Sequence, residues 1–243
     1  MRVRLVGRGH SWTKKSLCTS FVVDEKILVD VPQGSFKKLY FTTNIENVHT
    51  IIITHMHSDH WFDLHVIGCI ITHRASTDKV VIYGPRKLKK ALELQYKIGE
   101  TSYIYNRLKS RVIFKTLRDG AEYTLPGYKM KAYKVEHCGI DAYGVVIRDS
   151  ETSVGFTGDA TLCEGVNGIV KDSSLVFIDS SNLYVDSKEH MSIRDFEHYR
   201  DVYPDKYFVP VHMSDNVVEY LEHNGIEVKE GHVYDTKKLM SNK

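Results

Sequence analysis

Four cysteines in 243 residues, with no Cys-x-x-Cys pair among them, show neither a disulfide framework nor a thiolate zinc knuckle. Cys18, Cys69, Cys138 and Cys163 read instead as reduced thiols in the core or at a site edge. No apolar run approaches the roughly 18 residues that a membrane span needs. The opening Met1-Arg-Val-Arg-Leu-Val-Gly-Arg lacks the apolar segment of a secretory signal, so a cytoplasmic location is expected. A net charge of +2 provides no global field to announce nucleic acid or membrane. Repeats, low-complexity tracts and linkers are also missing, which predicts one domain over 1–243, long enough to bury a core.

What is present is concentrated in Thr54-His55-Met56-His57-Ser58-Asp59-His60. Ile51-Ile52-Ile53 ahead of it reads as a buried strand, and Trp61 to Ile67 behind it has apolar residues at helical spacing. The cluster therefore lies on a strand-to-helix turn. Alternate residues of an extended chain point the same way, so His55 and His57 can face one ion. Asp59 and His60 fall in the first helical turn, where a carboxylate is favoured, and can face a second. Neutral imidazole and carboxylate are ligands that zinc takes in catalytic sites. A lone histidine is usually structural, but a solvated turn does not account for four ligand-type residues at offsets 0, 2, 4 and 5 after an apolar strand.

Taken in order, Val3 to Val6 reads as a strand, and Gly7-Arg8-Gly9-His10-Ser11 as a tight loop. Thr19–Val23 and Lys26–Asp30 read as a hairpin. A helix over Ser35–Thr42 precedes the strand Val48–Ile53, and another runs from His60 to about His73. A strand over Lys79–Gly84 leads to a helix starting at Pro85, a permitted first position. Strands are expected over Val112–Thr116, Tyr128–Val135, Tyr143–Arg148, Ser153–Phe156, Leu175–Asp179 and Tyr207–Val211. Ser192 caps a helix, with Asp195 completing a capping box, and Asp215–Asn224 forms another that Gly225 ends. A last strand is expected over Val228–Val233. This order predicts an α/β fold of two packed sheets with helices outside. One basic region stands out: ten Lys or Arg between Arg86 and Arg118 face only Glu93 and Glu100. It is either a solvated helix face or an attractor for a phosphate-bearing ligand. Tyr96, Tyr103 and Tyr105 within it either stack a base or pack in the core.

One cluster of four cannot fill two metal sites. Three further candidates each sit just past a strand: His137, Asp159 in Thr157-Gly158-Asp159-Ala160, and His212. The whole pattern resembles the metallo-β-lactamase superfamily, which implies a four-layer αβ/βα sandwich with a dinuclear site at one edge. The resemblance assigns His55, His57 and His137 to one metal, Asp59, His60 and His212 to the other, and Asp159 to both. It implies two divalent ions, zinc first, with manganese or iron in reserve. Flavodiiron relatives carry Glu where this chain has His57. The β-lactamases themselves carry Cys or Ser at the bridging position, which argues against an antibiotic hydrolase.

Tyr83-Gly84-Pro85, Glu189-His190-Met191-Ser192 and His212-Met213-Ser214 are similar to elements of the tRNase Z branch. There the histidine matching His190 protonates the leaving group; the nucleophile expected here is a metal-bound hydroxide held near Asp59 and Asp159. The long arm with which tRNase Z grips tRNA has no counterpart in the sequence. The chain thus looks like arm-free cyclic-nucleotide phosphodiesterases of the anti-Pycsar type, which implies a small nucleotide substrate and a homodimer. A tRNA 3′-processing nuclease acting on RNA and a lactonase or thioesterase of the same fold are the alternatives. No substrate-binding residue could be assigned.

Overall fold

The computed structural model describes residues 1–184 and 187–241. Its strands are β1 (Arg2–Gly7), β2 (Ser20–Val23), β3 (Ile27–Val29), β4 (Thr50–Ile52), β5 (Val80–Gly84), β6 (Val112–Thr116), β7 (Glu122–Leu125), β8 (Tyr128–Val135), β9 (Ala142–Arg148), β10 (Ser153–Phe156), β11 (Leu175–Asp179), β12 (Tyr207–Val211) and β13 (Val233–Asp235). Its helices are α1 (Ser35–Thr42), α2 (Ser58–Trp61), α3 (Leu64–Ile71), α4 (Leu88–Ile98), α5 (Ser102–Arg111), α6 (Glu164–Asp172), α7 (Ile193–Val202), α8 (Asp215–His223) and α9 (Thr236–Ser241).

Two sheets form, in the orders β13-β1-β2-β3-β4-β5-β6 and β12-β11-β10-β9-β8-β7. The continuous apolar runs of β4 and β11 belong to parallel regions, where both faces of a strand are covered. Ile52 points into the core between the sheets, while Ile51 and Ile53 point into a second core under α1, α3, α4 and α5. On the far side α6 packs on β8, β9 and β10, and α7 on β12. The layers are therefore helix, sheet, sheet, helix, as the sequence predicts, and the fold is the αβ/βα sandwich. Among the described residues, no helix is long and apolar enough to cross a membrane.

Strand direction places the site. β3 and β4 run parallel, so Asp30 and the Thr54–His60 turn emerge at the same edge of the first sheet. In the second sheet β10, β11 and β12 are parallel, and β8 shares their direction through two antiparallel pairings with β9. His137, Asp159, Asp179 and His212 thus leave at one edge. The two edges meet where Tyr143 N–H donates to the Thr54 carbonyl at 3.0 Å. Gly158 sits at φ +62°, and a Cβ there would stand 3.0 Å from the Tyr143 carbonyl and 3.2 Å from Thr54 Cβ, so glycine lets Asp159 approach.

Several boundaries differ from expectation. The helix expected from His60 to about His73 is two, α2 and α3. Asp63 breaks it: its N–H donates to Val31 O at 3.0 Å and its carboxylate accepts from Phe36 N–H at 2.7 Å. The last strand lies at Val233–Asp235, where it pairs with β1, not over Val228–Val233. The stretch from Pro85 holds two helices, α4 and α5, with Tyr96 and Tyr105 buried between them and Tyr103 exposed. The first two are therefore core residues. β7, α6 and α9 were not foreseen.

Candidate metal centre

The structure brings all seven residues singled out as ligands to one place. His55, His57, His137 and Asp159 form one group that could hold a metal ion, and Asp59, His60, Asp159 and His212 form another; within each group the donor atoms lie within 4.8 Å of one another. Asp159 belongs to both, and a third group joins it to Asp179, His190 and His212. Asp159 Oδ2 stands 3.1 Å from His212 Nε2, 3.6 Å from His55 Nε2 and 3.8 Å from His137 Nε2, and Oδ1 stands 3.2 Å from His60 Nε2.

The rings are held from behind. His60 Nδ1 lies 2.7 Å from Asp30 Oδ2, His137 Nδ1 donates to Glu189 O at 2.7 Å, and His212 Nδ1 meets Ser181 Oγ at 2.7 Å. His55 Nδ1 meets Thr54 Oγ1 at 3.1 Å, and that hydroxyl donates to Asp30 Oδ2 at 2.8 Å. With each Nδ1–H engaged outward, each Nε2 presents a lone pair inward, the arrangement that outer partners impose on metal-ligating histidine. His57 instead faces His137 Nε2 with Nδ1 at 3.0 Å.

The side chains fit a metal on an observation independent of resemblance. His55 Nε2, His60 Nε2, His212 Nε2 and Asp159 Oδ1 are buried and have no hydrogen-bond partner. Buried polar atoms are nearly always satisfied, and four orphans converging on one point are answered by a cation. Nitrogen and carboxylate donors together suit a transition ion such as zinc.

The electrostatics divide the centre. Burial pushes His55 well below the usual imidazole range, and burial also lowers His137. Burial opposes charge on His60 too, but Asp159 and Asp30 outweigh it and raise that ring. Asp159 is held well below the carboxylate range, since His212 and His60 overcome its burial. Asp59 comes down to about 2, because its His212 hydrogen bond and His60 overcome burial.

His190 stands apart from the ligands. Its ring lies 4.8 Å from that of His137 and 4.9 Å from that of His212. Its Nδ1 is 2.8 Å from Asp179 Oδ2, a fully buried carboxylate that also accepts from Ala160 N–H at 3.0 Å and Ser181 Oγ at 2.9 Å. Burial works against the proton on His190, yet Asp179 prevails and lifts it to about 9.

Sequence reasoning missed four residues of this site. Asp30 read only as the close of a hairpin, although its partners lie 24 and 30 residues away. Asp179 carried the same signal as Asp159, a carboxylate at a strand end. Ser181 carried none. His10, in the glycine loop after β1, lies with its ring 5.9 Å from that of His212. Of the basic stretch, Arg86 and Lys87 line a cleft beside the centre with Met56, His57, Lys134 and Ile140.

Fold and donor set together define the class as a metallo-β-lactamase-fold protein, and its family and ribonuclease Z relatives place it in the tRNase Z-like branch. A diphosphatase from the PhnP family is similar over 96% of this chain and 97% of its own, with a TM-score of 0.78 and 17% identity. The short form of human tRNase Z, ELAC1, is similar over 97% and 99%, with a TM-score of 0.73 and 17% identity. At that identity the likeness speaks for the fold alone. The model of the family described as Anti-Pycsar protein Apyc1 matches residues 1–234, and the chain belongs to that family. Among curated relatives, the ribonuclease Z of Archaeoglobus fulgidus is 25% identical over 114 residues, covering 46% of this chain and 35% of that protein. The chain thus spans well under half the length of that relative.

Proposed function

We propose that this protein is a metal-dependent phosphodiesterase that opens a small nucleotide diester, with 3′,5′-cyclic nucleotides as the first candidates. His55, His57 and His137 would hold one divalent ion, Asp59, His60 and His212 a second, and Asp159 would touch both. The observation that carries the reading is the convergence of unsatisfied buried ligand atoms beside a histidine whose Nδ1 lies 2.8 Å from the buried carboxylate of Asp179. Zinc at both positions and a homodimer, both implied by the family resemblance, belong to the same reading.

Bound there, the ions would polarise a phosphoryl oxygen and make a water acidic enough to act at neutral pH. The chain's own residues do the rest. Asp59 and Asp159 place negative charge against the ions and orient the attacking water. With Nδ1 tied to Asp179, His190 would turn Nε2–H to the substrate, since no hydrogen bond occupies it among the described residues. As the phosphorus–oxygen bond to the sugar breaks, its electron pair stays on oxygen and His190 supplies the proton. Arg86 and Lys87 draw an anion towards the cleft beside His57.

The ribonuclease Z relatives favour a second reading, tRNA 3′-processing. Against it, the segment from Pro85 to Asp119 is α4, α5 and β6, with no extended arm. Purified protein should convert at least one 3′,5′-cyclic nucleotide to its monophosphate, followed by chromatography. Turnover of a 3′-extended pre-tRNA with none of the cyclic nucleotides would defeat the first reading.

Metal removal should also cost stability. A ligand at about a hundred times its dissociation constant adds about 2.7 kcal/mol to the folded state. For a chain of this size that corresponds to roughly 5–10 °C in melting midpoint. Calorimetry with and without chelator should show that drop, and an unchanged midpoint would count against a filled centre.

A further inference from the structure

Four imidazole rings of the centre share one orientation, and His10 has the opposite one. His55, His60, His137 and His212 engage Nδ1 outward and turn Nε2 inward. His10 Nδ1 instead accepts the backbone N–H of Trp12 at 2.9 Å. An N–H can only donate, so Nδ1 holds a lone pair there and a neutral ring carries its proton on Nε2. That nitrogen cannot ligate a metal; it can only donate a hydrogen bond. Among the described residues nothing accepts it.

The ring's place is fixed by backbone. Met213 N–H donates to Arg8 O at 3.0 Å, and His10 N–H donates to Met213 O at 3.2 Å, so His10 is registered against the residue that follows His212. The loop is closed below by Gly9 N–H to Leu17 O at 2.8 Å and Thr19 N–H to Gly9 O at 2.9 Å. His10 is only half-buried, whereas His212 beside it is buried, so it stands at the mouth of the centre.

We propose that His10 Nε2–H donates a hydrogen bond to an anionic oxygen of the ligand held at the centre, making it a positioning residue that is neither a metal ligand nor the acid. That the oxygen belongs to a phosphoryl group rests on the phosphodiesterase reading; the polarity of the ring does not. The site then addresses its substrate from two sides, His190 at the leaving oxygen and His10 at an oxygen that stays on phosphorus.

Two variants separate this role from bracing of the loop. In His10→Asn the side-chain oxygen can replace Nδ1 and keep the Trp12 bond, but the amide is too short to reach where Nε2 stood. In His10→Gln the amide reaches that position and gives up the Trp12 bond. Binding of inorganic phosphate to the metal-loaded protein, measured by calorimetry, should weaken about ten- to a hundredfold in His10→Asn, the loss of one hydrogen bond to a charged group, and be largely recovered in His10→Gln. Metal content should match the parent in both. Any other ranking, or loss of metal in His10→Asn, would overturn the proposal. Nitrogen NMR of the parent should find His10 protonated at Nε2, and a proton at Nδ1 would equally overturn it. Failure of the phosphodiesterase reading would look different: the phosphate ranking would hold while no phosphodiester was turned over.

Discussion

Replacing Asp159 with asparagine is expected to lower phosphodiester turnover by at least about a thousandfold and to strip metal from the protein. This carboxylate is buried and is the one group shared by all three clusters. Its oxygens lie between 3.1 and 3.8 Å from four imidazoles, so no other side chain can stand in for it. Asparagine keeps the volume but removes the charge, leaving Asp59 as the only carboxylate among the seven proposed ligands. The Lewis-acid contribution of such a centre is several kcal/mol, and each 1.36 kcal/mol is a factor of ten in rate. Turnover and metal content, measured on the same preparation of Asp159→Asn, check this. A variant that keeps its metal and a tenth of its rate would contradict the assignment.

The second large effect should depend on the leaving group. For a nucleotide, whose departing sugar oxygen needs a proton, His190→Ala should slow turnover about 10²–10⁴-fold, the usual contribution of a general acid. For bis(p-nitrophenyl) phosphate, whose leaving group departs without one, the same change should cost little. Asp179→Asn should show the same dependence on the leaving group through His190 Nδ1, which it holds at 2.8 Å, while any disturbance passed through Ser181 to His212 would slow both substrates alike. The comparison is internal: loss of metal or of fold would slow both substrates alike. Equal slowing of both by His190→Ala would remove His190 from the role of acid.

The sequence discloses what is local and conceals what is tertiary. His55, His57, Asp59 and His60 could be read because a short apolar strand delivers them together, and His137, Asp159 and His212 because each follows a strand of its own. Their supports escaped notice because nothing near them in the chain demands them. Asp30 meets His60 and Thr54 only because β3 and β4 pair in parallel. α6 escaped for a related reason. Gly165 and Gly168 look like helix breakers, but a Cβ on Gly165 would lie 1.9 Å from the Lys134 carbonyl, and one on Gly168 would strike Tyr133. These glycines let the helix settle onto β8 at some cost in helix propensity. His10 was masked in the same way, since Gly7-Arg8-Gly9 reads as a turn until Met213 is seen beside it.

Elemental analysis of the protein purified without added metal or chelator tests the central claim most directly. A centre of the kind proposed, with its ions about 3.5–4 Å apart, should retain about two equivalents of transition metal per chain, zinc foremost. Asp159→Asn should retain far less. Less than about one equivalent in the parent, in protein that is folded and stays empty when zinc is supplied, would contradict the account.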